Sequence, residues 1–271
     1  MAIGSPPPVS HRSGPAAGPS MTGQAVAAFR ASLDRPTSAE GDAGAQAALC
    51  TGMVPLAEPQ LQAHIEARTR FFDAQVLAAL GRGTDQVVVL GAGYDDRALR
   101  FRSPGVRFFE VDHPLTQADK RRRLRRMGGE PGGPVLVPAD FRTDDVAGAL
   151  DRAGHRADRP TLVLAEGLLI YLEPDAGVAL LCRVHARCAP GGALAASLAV
   201  HPDGLDSSSV ADRANRARTR GRTEPWRTIL ARSTHLDLVA RSGWSVVGVT
   251  DDAALAARAV PGRSLLVEGR P

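Results

Sequence analysis

Residues able to do chemistry gather where apolar runs end. "VVVLGAGYDD" sets Gly91, Ala92, Gly93 and the carboxylates Asp95 and Asp96 behind four aliphatic residues. "FFEVDH" ends on Asp112 and His113, "VLVPADF" on Asp140 and Phe141, and "LVLAEGLLIY" on Glu166 and Tyr171. A Gly-x-Gly turn after a strand lets the backbone reverse tightly and leaves room for a ligand at the strand end. A carboxylate about 20 residues further on is spaced to accept ribose hydroxyls. Asp112 meets that spacing best and Glu110 less well. The pair points to an adenosine-bearing cofactor. A dinucleotide site would carry a third glycine at position 96, beside a pyrophosphate held on a helix N-terminus. Two acids there would repel such a dianion. They would not repel a cationic adenosine cofactor without phosphate, and S-adenosyl-L-methionine is of that kind. Asp95 serves equally well as a helix N-cap.

These clusters need a scaffold that brings strand ends together, and the chain supplies one. Leu61, Ile65, Phe72, Val76 and Leu80 recur at helical spacing. Arg68 falls on the same stripe, where a guanidinium requires an anionic partner or a route to solvent. Strands are expected at Val87 to Leu90, Val106 to Asp112, Pro134 to Asp140, Thr161 to Gly167 and Ala193 to Val200. Helical patterns separate them: one directly after the glycine turn, one from Pro114 to Met127, one through "TDDVAGALDRAG", and one opening on Pro174. This alternation predicts an α/β, doubly wound, mostly parallel sheet whose ligands sit beyond the carboxyl ends of the strands. A helix near "THLDLVARSG" and two final strands, "WSVVGVT" and "SLLVEG", would add an antiparallel hairpin at one edge.

The 271 residues are 44% hydrophobic and 23% charged, which suits one domain, taken as residues 46–271. Residues 1–45 are rich in Pro, Gly, Ser and Ala and are expected to be a flexible segment, with a helix starting near Met21 that could act as a flap. Residues 201–225 are arginine-rich and polar, and are expected to form a lid or outer insertion. No export signal or membrane-length apolar run is visible, so a cytoplasmic protein is expected. Three cysteines, Cys50, Cys182 and Cys188, lack zinc-type spacing, and no metal site is expected. The net charge of +4 comes mostly from arginine, and Lys120 is the only lysine. "KRRRLRR" at residues 120–126 could bind nucleic acid, but no stacking aromatics accompany it, and a solvated helix face explains it better.

"ARTRFFD", "VVVLGAGYDDRALRF", "FFEVDHPLTQADKRRRL", "PADFR" and "LAEGLLIYLEP" occur in that order over residues 60 to 200. Together they resemble the leucine carboxyl methyltransferase family, most closely its bacterial branch of polyketide and other natural-product O-methyltransferases. The resemblance implies a Rossmann-like methyltransferase fold with an N-terminal helical cap, and S-adenosyl-L-methionine as donor with S-adenosyl-L-homocysteine as product. It implies that Arg68 pairs with the cofactor carboxylate and that Gly91, Ala92 and Gly93 line its methionine and ribose portion. Asp112 would accept the ribose hydroxyls, Asp140 the adenine amino group, and the Phe141 N–H would meet the ring. Glu166 would face the ammonium or the methyl-transfer site, and Tyr171 the acceptor. Tyr94 stands where the family usually has an aliphatic residue and Phe141 where it has leucine.

The expected reaction is in-line methyl transfer to a carboxylate or hydroxyl of a small, natural-product-like molecule. A carboxylate is already ionised at neutral pH, whereas a phenol or alcohol usually needs a general base. In the family the chain resembles, the position of His113 belongs to a recurring "DHP" turn, which implies a structural role, and His64, His201 and His235 lie on less certain elements. No base stands out, which leans toward a carboxyl acceptor. Competing readings are a protein C-terminal carboxyl methyltransferase, an RNA-associated protein, and an NAD-dependent dehydrogenase, the last disfavoured by Asp96.

Overall fold

A seven-stranded sheet organises the computed structural model, which describes residues 18–129, 132–200, 224–256 and 264–271. Its strands are β1 (Gln86–Leu90), β2 (Arg107–Asp112), β3 (Val135–Pro138), β4 (Thr161–Ala165), β5 (Ala193–Ala199), β6 (Ser245–Asp251) and β7 (Ser264–Arg270). Their order is β3-β2-β1-β4-β5-β7-β6. The first five pair in parallel, whereas β7 is antiparallel to both β5 and β6. The final hairpin is therefore present, but its second strand is inserted between β5 and β6 instead of closing the edge.

Parallel strands covered on both faces carry side chains that alternate between two cores. Val88 and Leu90 face one, with Phe109, Val111, Val163 and Trp244. Val87 and Val89 face the other, with Phe71, Phe72 and Val76. Those last three belong to α3 (Pro59–Gly81), whose apolar stripe is the one visible in the sequence. Ahead of it lie α1 (Met21–Arg30), in the segment where a helix was expected, and the short α2 (Ala45–Leu49). The remaining helices among the described residues are α4 (Arg97–Arg100), α5 (Pro114–Arg126), α6 (Val146–Arg152), α7 (Pro174–His185), α8 (Arg232–Arg241) and α9 (Asp252–Leu255). A 3-10 turn covers Leu169–Tyr171. None of these helices is long and apolar enough to cross a membrane. The expected lid at 201–225 lies outside the described residues up to position 223.

Two features depart from the sequence pattern. The helix after the glycine turn is a single turn of four residues, Arg97–Arg100, because Arg97 and Arg100 turn inward to carboxylates and Pro104-Gly105 follows. Residues ahead of position 46 also join the packed structure: Arg30 and Arg35 are 6% and 7% exposed, inside ion pairs described below.

His155, after α6, is buried with its ring edge-on to Phe109 at 5.4 Å and its Nε2 3.0 Å from the Thr161 hydroxyl. Burial, and then the nearby Arg187 guanidinium, push its pKa down to about 4. In the unfolded chain a histidine titrates near 6.5, so between these values the unfolded state binds the extra proton. Stability from this group is thus complete above about pH 6.5 and is lost as pH falls toward 4. Denaturant titrations across that window should show stability declining with acidification, and His155→Gln should flatten the decline.

Candidate functional site

The glycine turn follows β1, the central strand of the parallel set. Gly91 and Gly93 both adopt left-handed backbone, with φ of 65° and 50°, which glycine adopts without the strain a side chain would bring. A Cβ on Gly91 would lie 3.1 Å from Leu168, so a side chain there would also crowd the loop after β4. One strand over, β2 ends on Asp112. Its Oδ2 accepts the Gly93 N–H and its Oδ1 the His113 N–H, each at 2.7 Å. Burial pushes its pKa up, opposed by these two backbone bonds. A carboxylate offers about four acceptor positions, so Asp112 keeps capacity on both oxygens for a pair of vicinal hydroxyls. Glu110, the lesser candidate, is fully buried beside Lys120 and does not reach the strand-end rim. Its pKa is pushed up to about 7 by burial.

Under the turn lies a cluster that the sequence does not announce. Glu166, after β4, is held by three arginines: Arg30 from α1 and Arg68 from α3 on Oε1, and Arg97 from α4 on Oε2 at 2.8 Å. Arg97 also binds Asp73 at 2.7 Å and Asp95 at 2.5 Å, and is 0% exposed. Arg35 bridges Asp73 and Asp96 at 2.8 and 2.7 Å, and Arg100 holds the other oxygen of Asp96 at 2.7 Å. Arg30 reaches Asp95 at 3.4 Å. Among the described residues the connected cluster therefore contains five guanidiniums and only four carboxylates. Its charges are buried, so each must be paired to persist. The three arginines, opposing the effect of burial, hold Glu166 well below the usual carboxylate range. Glu166 is thus a fixed anion and no proton acceptor near neutral pH.

Asp95 takes a capping role and otherwise meets the chain's own arginines. Its Oδ1 accepts the Arg97 N–H at 2.8 Å at the head of α4, while Oδ2 pairs with guanidiniums. Asp95 and Asp96 are neutralised, so their repulsion of a pyrophosphate carries less weight than their sequence position suggests. The one-turn α4 carries the argument instead: the dipole of a single turn offers little to a dianion.

The excess cation is most accessible at Arg68, whose side chain is 16% exposed. Its Nε donates to Glu166 at 3.0 Å, and its terminal nitrogens lie against Gly167, with no hydrogen bond to another described residue. An anion arriving there would balance the cluster. On Glu166, Oε2 accepts only from Arg97 among the described residues and retains one acceptor position.

Asp140 and Phe141 follow β3, further along the same rim. Asp140 is held by Arg142 through both oxygens, at 3.0 and 2.7 Å, which lowers its pKa. The Phe141 ring packs against the core. Tyr171 stands on the other side of Glu166, in the 3-10 turn after β4. Burial raises its pKa, so the phenol is neutral. Ala92 is buried in the turn. The strand ends thus bring Arg68, Gly91, Ala92, Gly93, Asp112 and Glu166 close together, with Asp140 and Phe141 to one side and Tyr171 to the other.

Sequence reasoning missed Arg30, Arg35, Arg97 and Asp73. Only Asp73 carried a signal, as a charged residue beside Phe72 on the buried face of α3, the same anomaly that marked Arg68. Tyr94 points away from the turn into a small core with Ala27, Leu49 and Cys50, and its hydroxyl donates to Asp119 at 2.7 Å. His113 caps α5, its Nδ1 accepting from Leu115 at 3.3 Å. His235 is buried with Nε2 2.7 Å from the Ala199 carbonyl, and His201 lies outside the described residues. Of the basic run, Lys120 is buried and Arg123 lies over the Tyr94 ring while pairing with Asp119, which leaves Arg122, Arg125 and Arg126 exposed.

Over this rim lies α1. Ser20, ahead of it, donates from its backbone to Thr116 at 3.2 Å, Gly23 meets Gly93 with under 4 Å to spare for an added Cβ, and Arg30 ends in the charge cluster.

A family model described as leucine carboxyl methyltransferase matches residues 31–185. A Mycolicibacterium gilvum protein, provisionally named an S-adenosyl-L-methionine-dependent methyltransferase, is 40% identical over 186 residues. That match takes in 67% of this chain but only 60% of the relative's length. Among solved structures, a provisionally named methyltransferase from Thermobifida fusca superposes with a TM-score of 0.60 at 18% identity, covering 89% of this chain and 97% of that one. Magnesium protoporphyrin IX methyltransferase from Synechocystis, solved with S-adenosylhomocysteine, gives 0.52 at 11% identity over 79% and 88%. At these identities the two structures speak for the fold alone.

Proposed function

The chain belongs to the leucine carboxyl methyltransferase family, and from that premise we propose that it transfers a methyl group from S-adenosyl-L-methionine to an oxygen of a small molecule, a carboxylate or a hydroxyl. The observation that carries this reading is the charge excess of the buried cluster, offered to a ligand at Arg68, beside an Asp112 carboxylate with acceptor positions to spare.

The residues fit the donor group by group. Arg68 would take its carboxylate and so complete the cluster's balance. Glu166, with one position left on Oε2, would accept from its ammonium. Asp112 would accept the two ribose hydroxyls, and the side-chain-free Gly91–Ala92–Gly93 turn lets the ligand approach the backbone. Asp140 and the Phe141 N–H would meet the adenine. When bound, the cofactor supplies an electrophilic methyl on a sulfonium. The chain's own part is positioning and desolvation. Glu166 stays ionised and Tyr171 neutral, so these two hold and line the site instead of moving protons.

Incubation with methyl-labelled S-adenosyl-L-methionine and small-molecule extract tests the reading. Label should appear in extractable small molecules, and mild base divides the products: release of volatile methanol marks an ester, and a stable label an ether. Label confined to macromolecules would instead identify a protein carboxyl methyltransferase.

A further inference from the structure

His64 holds a proton-accepting position that nothing above has used. It lies on α3 one turn ahead of Arg68, is 4% exposed, and its Nδ1 sits 3.0 Å from Asp252 Oδ2. Its Nε2 is buried and has no hydrogen-bond partner among the described residues. A buried imidazole nitrogen without a partner forgoes about 1–3 kcal/mol of hydrogen bonding, and a catalytic role is one of the reasons a fold keeps such a group. With Nδ1–H given to a carboxylate, the tautomer is set and Nε2 presents its lone pair. That is the arrangement of an oriented general base.

Topology puts this pair on the acceptor side. α3 joins β1 through residues 82–85 only, so its N-terminal half rises to the carboxyl end of the sheet, where Arg68 meets Glu166. β6 runs parallel to β5, so Asp252, directly after it, lies at the same end. Along the rim the order is Asp140, Asp112, the glycine turn, Glu166 and then Asp252. The residues suited to adenine and ribose occupy the β3 and β2 side. The β5 to β6 side, beyond Glu166, is left for the acceptor, and His64 stands about 6 Å along its helix from Arg68 toward that side.

We propose that His64, oriented by Asp252, is the general base of this site, and that the acceptor is accordingly a hydroxyl, phenolic or alcoholic, and not a carboxylate. This rests on the methyl-donor reading above. As the acceptor oxygen attacks the methyl carbon, its proton passes to His64 Nε2. The new C–O bond forms while the C–S bond breaks, the bonding pair stays on sulfur, and the positive charge moves from the sulfonium to an imidazolium beside Asp252. The proton then leaves to solvent.

The test uses the full chain, methyl-13C S-adenosyl-L-methionine, and two acceptor panels, one of phenols and alcohols and one of aliphatic and aromatic carboxylic acids. Wild type should form base-stable methoxy products from the first panel. His64→Asn retains a donor toward Asp252 and lacks the base. It should bind the cofactor with unchanged affinity by calorimetry, yet form ether about 10²–10⁴-fold more slowly. Methyl esters as the only products, ether formation undiminished in His64→Asn, or no ether from any hydroxyl acceptor would each overturn the proposal. Failure of wild type to bind the cofactor at all would mark the underlying reading as the one that failed.

Discussion

Replacing Arg97 with methionine should destabilise the fold by about 3–5 kcal/mol, the loss found when one partner of a buried ion pair is removed. Arg97 is fully buried and holds Asp73, Asp95 and Glu166 from three different segments. Methionine fills similar volume but leaves three carboxylates short of a counter-charge, each still touched by another arginine. For a domain of this size the melting temperature should fall by on the order of 10 °C. Arg97→Lys should recover part of that, since one ammonium keeps the charge but cannot bridge three acceptors. Denaturant melts of the three proteins measure this directly. A loss under about 1 kcal/mol would put Arg97 in the range of an exposed pair and contradict its position at the centre of the cluster.

Asp112→Ala should weaken S-adenosyl-L-methionine binding by about 10²–10⁴-fold, the sum of two hydrogen bonds to a charged acceptor at roughly 1.5–3 kcal/mol each. The same substitution removes the acceptor of the Gly93 and His113 N–H groups, so some of the loss would come from a loosened turn. Asp112→Asn separates the two effects, because the amide oxygen can keep one backbone bond while the charge is gone. An intermediate affinity is expected for it by calorimetry. Equal affinity in wild type and Asp112→Ala would remove the ribose-binding role and, with it, the main support for the methyl donor.

The scaffold was legible because it depends on local pattern. Mostly apolar stretches marked the five parallel strands, four of them ended by Gly, Asp or Glu, and Asp112 followed from its spacing behind the glycine turn. The helix after that turn was over-read, since Arg97 and Arg100 fit a helical pattern whose true partners are carboxylates. The insertion of β7 between β5 and β6 was not legible either, because pairing between distant strands leaves no periodic trace. The charge cluster was hidden for the same reason. Arg30 meets Glu166 across 136 residues and Arg35 meets Asp73 across 38. His64 was noted only as a histidine on an uncertain element; its partner Asp252 is 188 residues away.

The position of α1 has a kinetic consequence. Its first turn rests on the glycine loop through the Gly23–Gly93 contact, and its last residue, Arg30, is fastened to Glu166 and Asp95. On the proposed reading, a donor lying on that loop would leave past this helix, and lifting the helix would part those ion pairs. Turnover would then be set by the departure of spent donor, not by bond making, and methylation would start with a burst followed by a slower steady rate. The same latch would keep the donor resident while acceptors come and go from the other side of the rim.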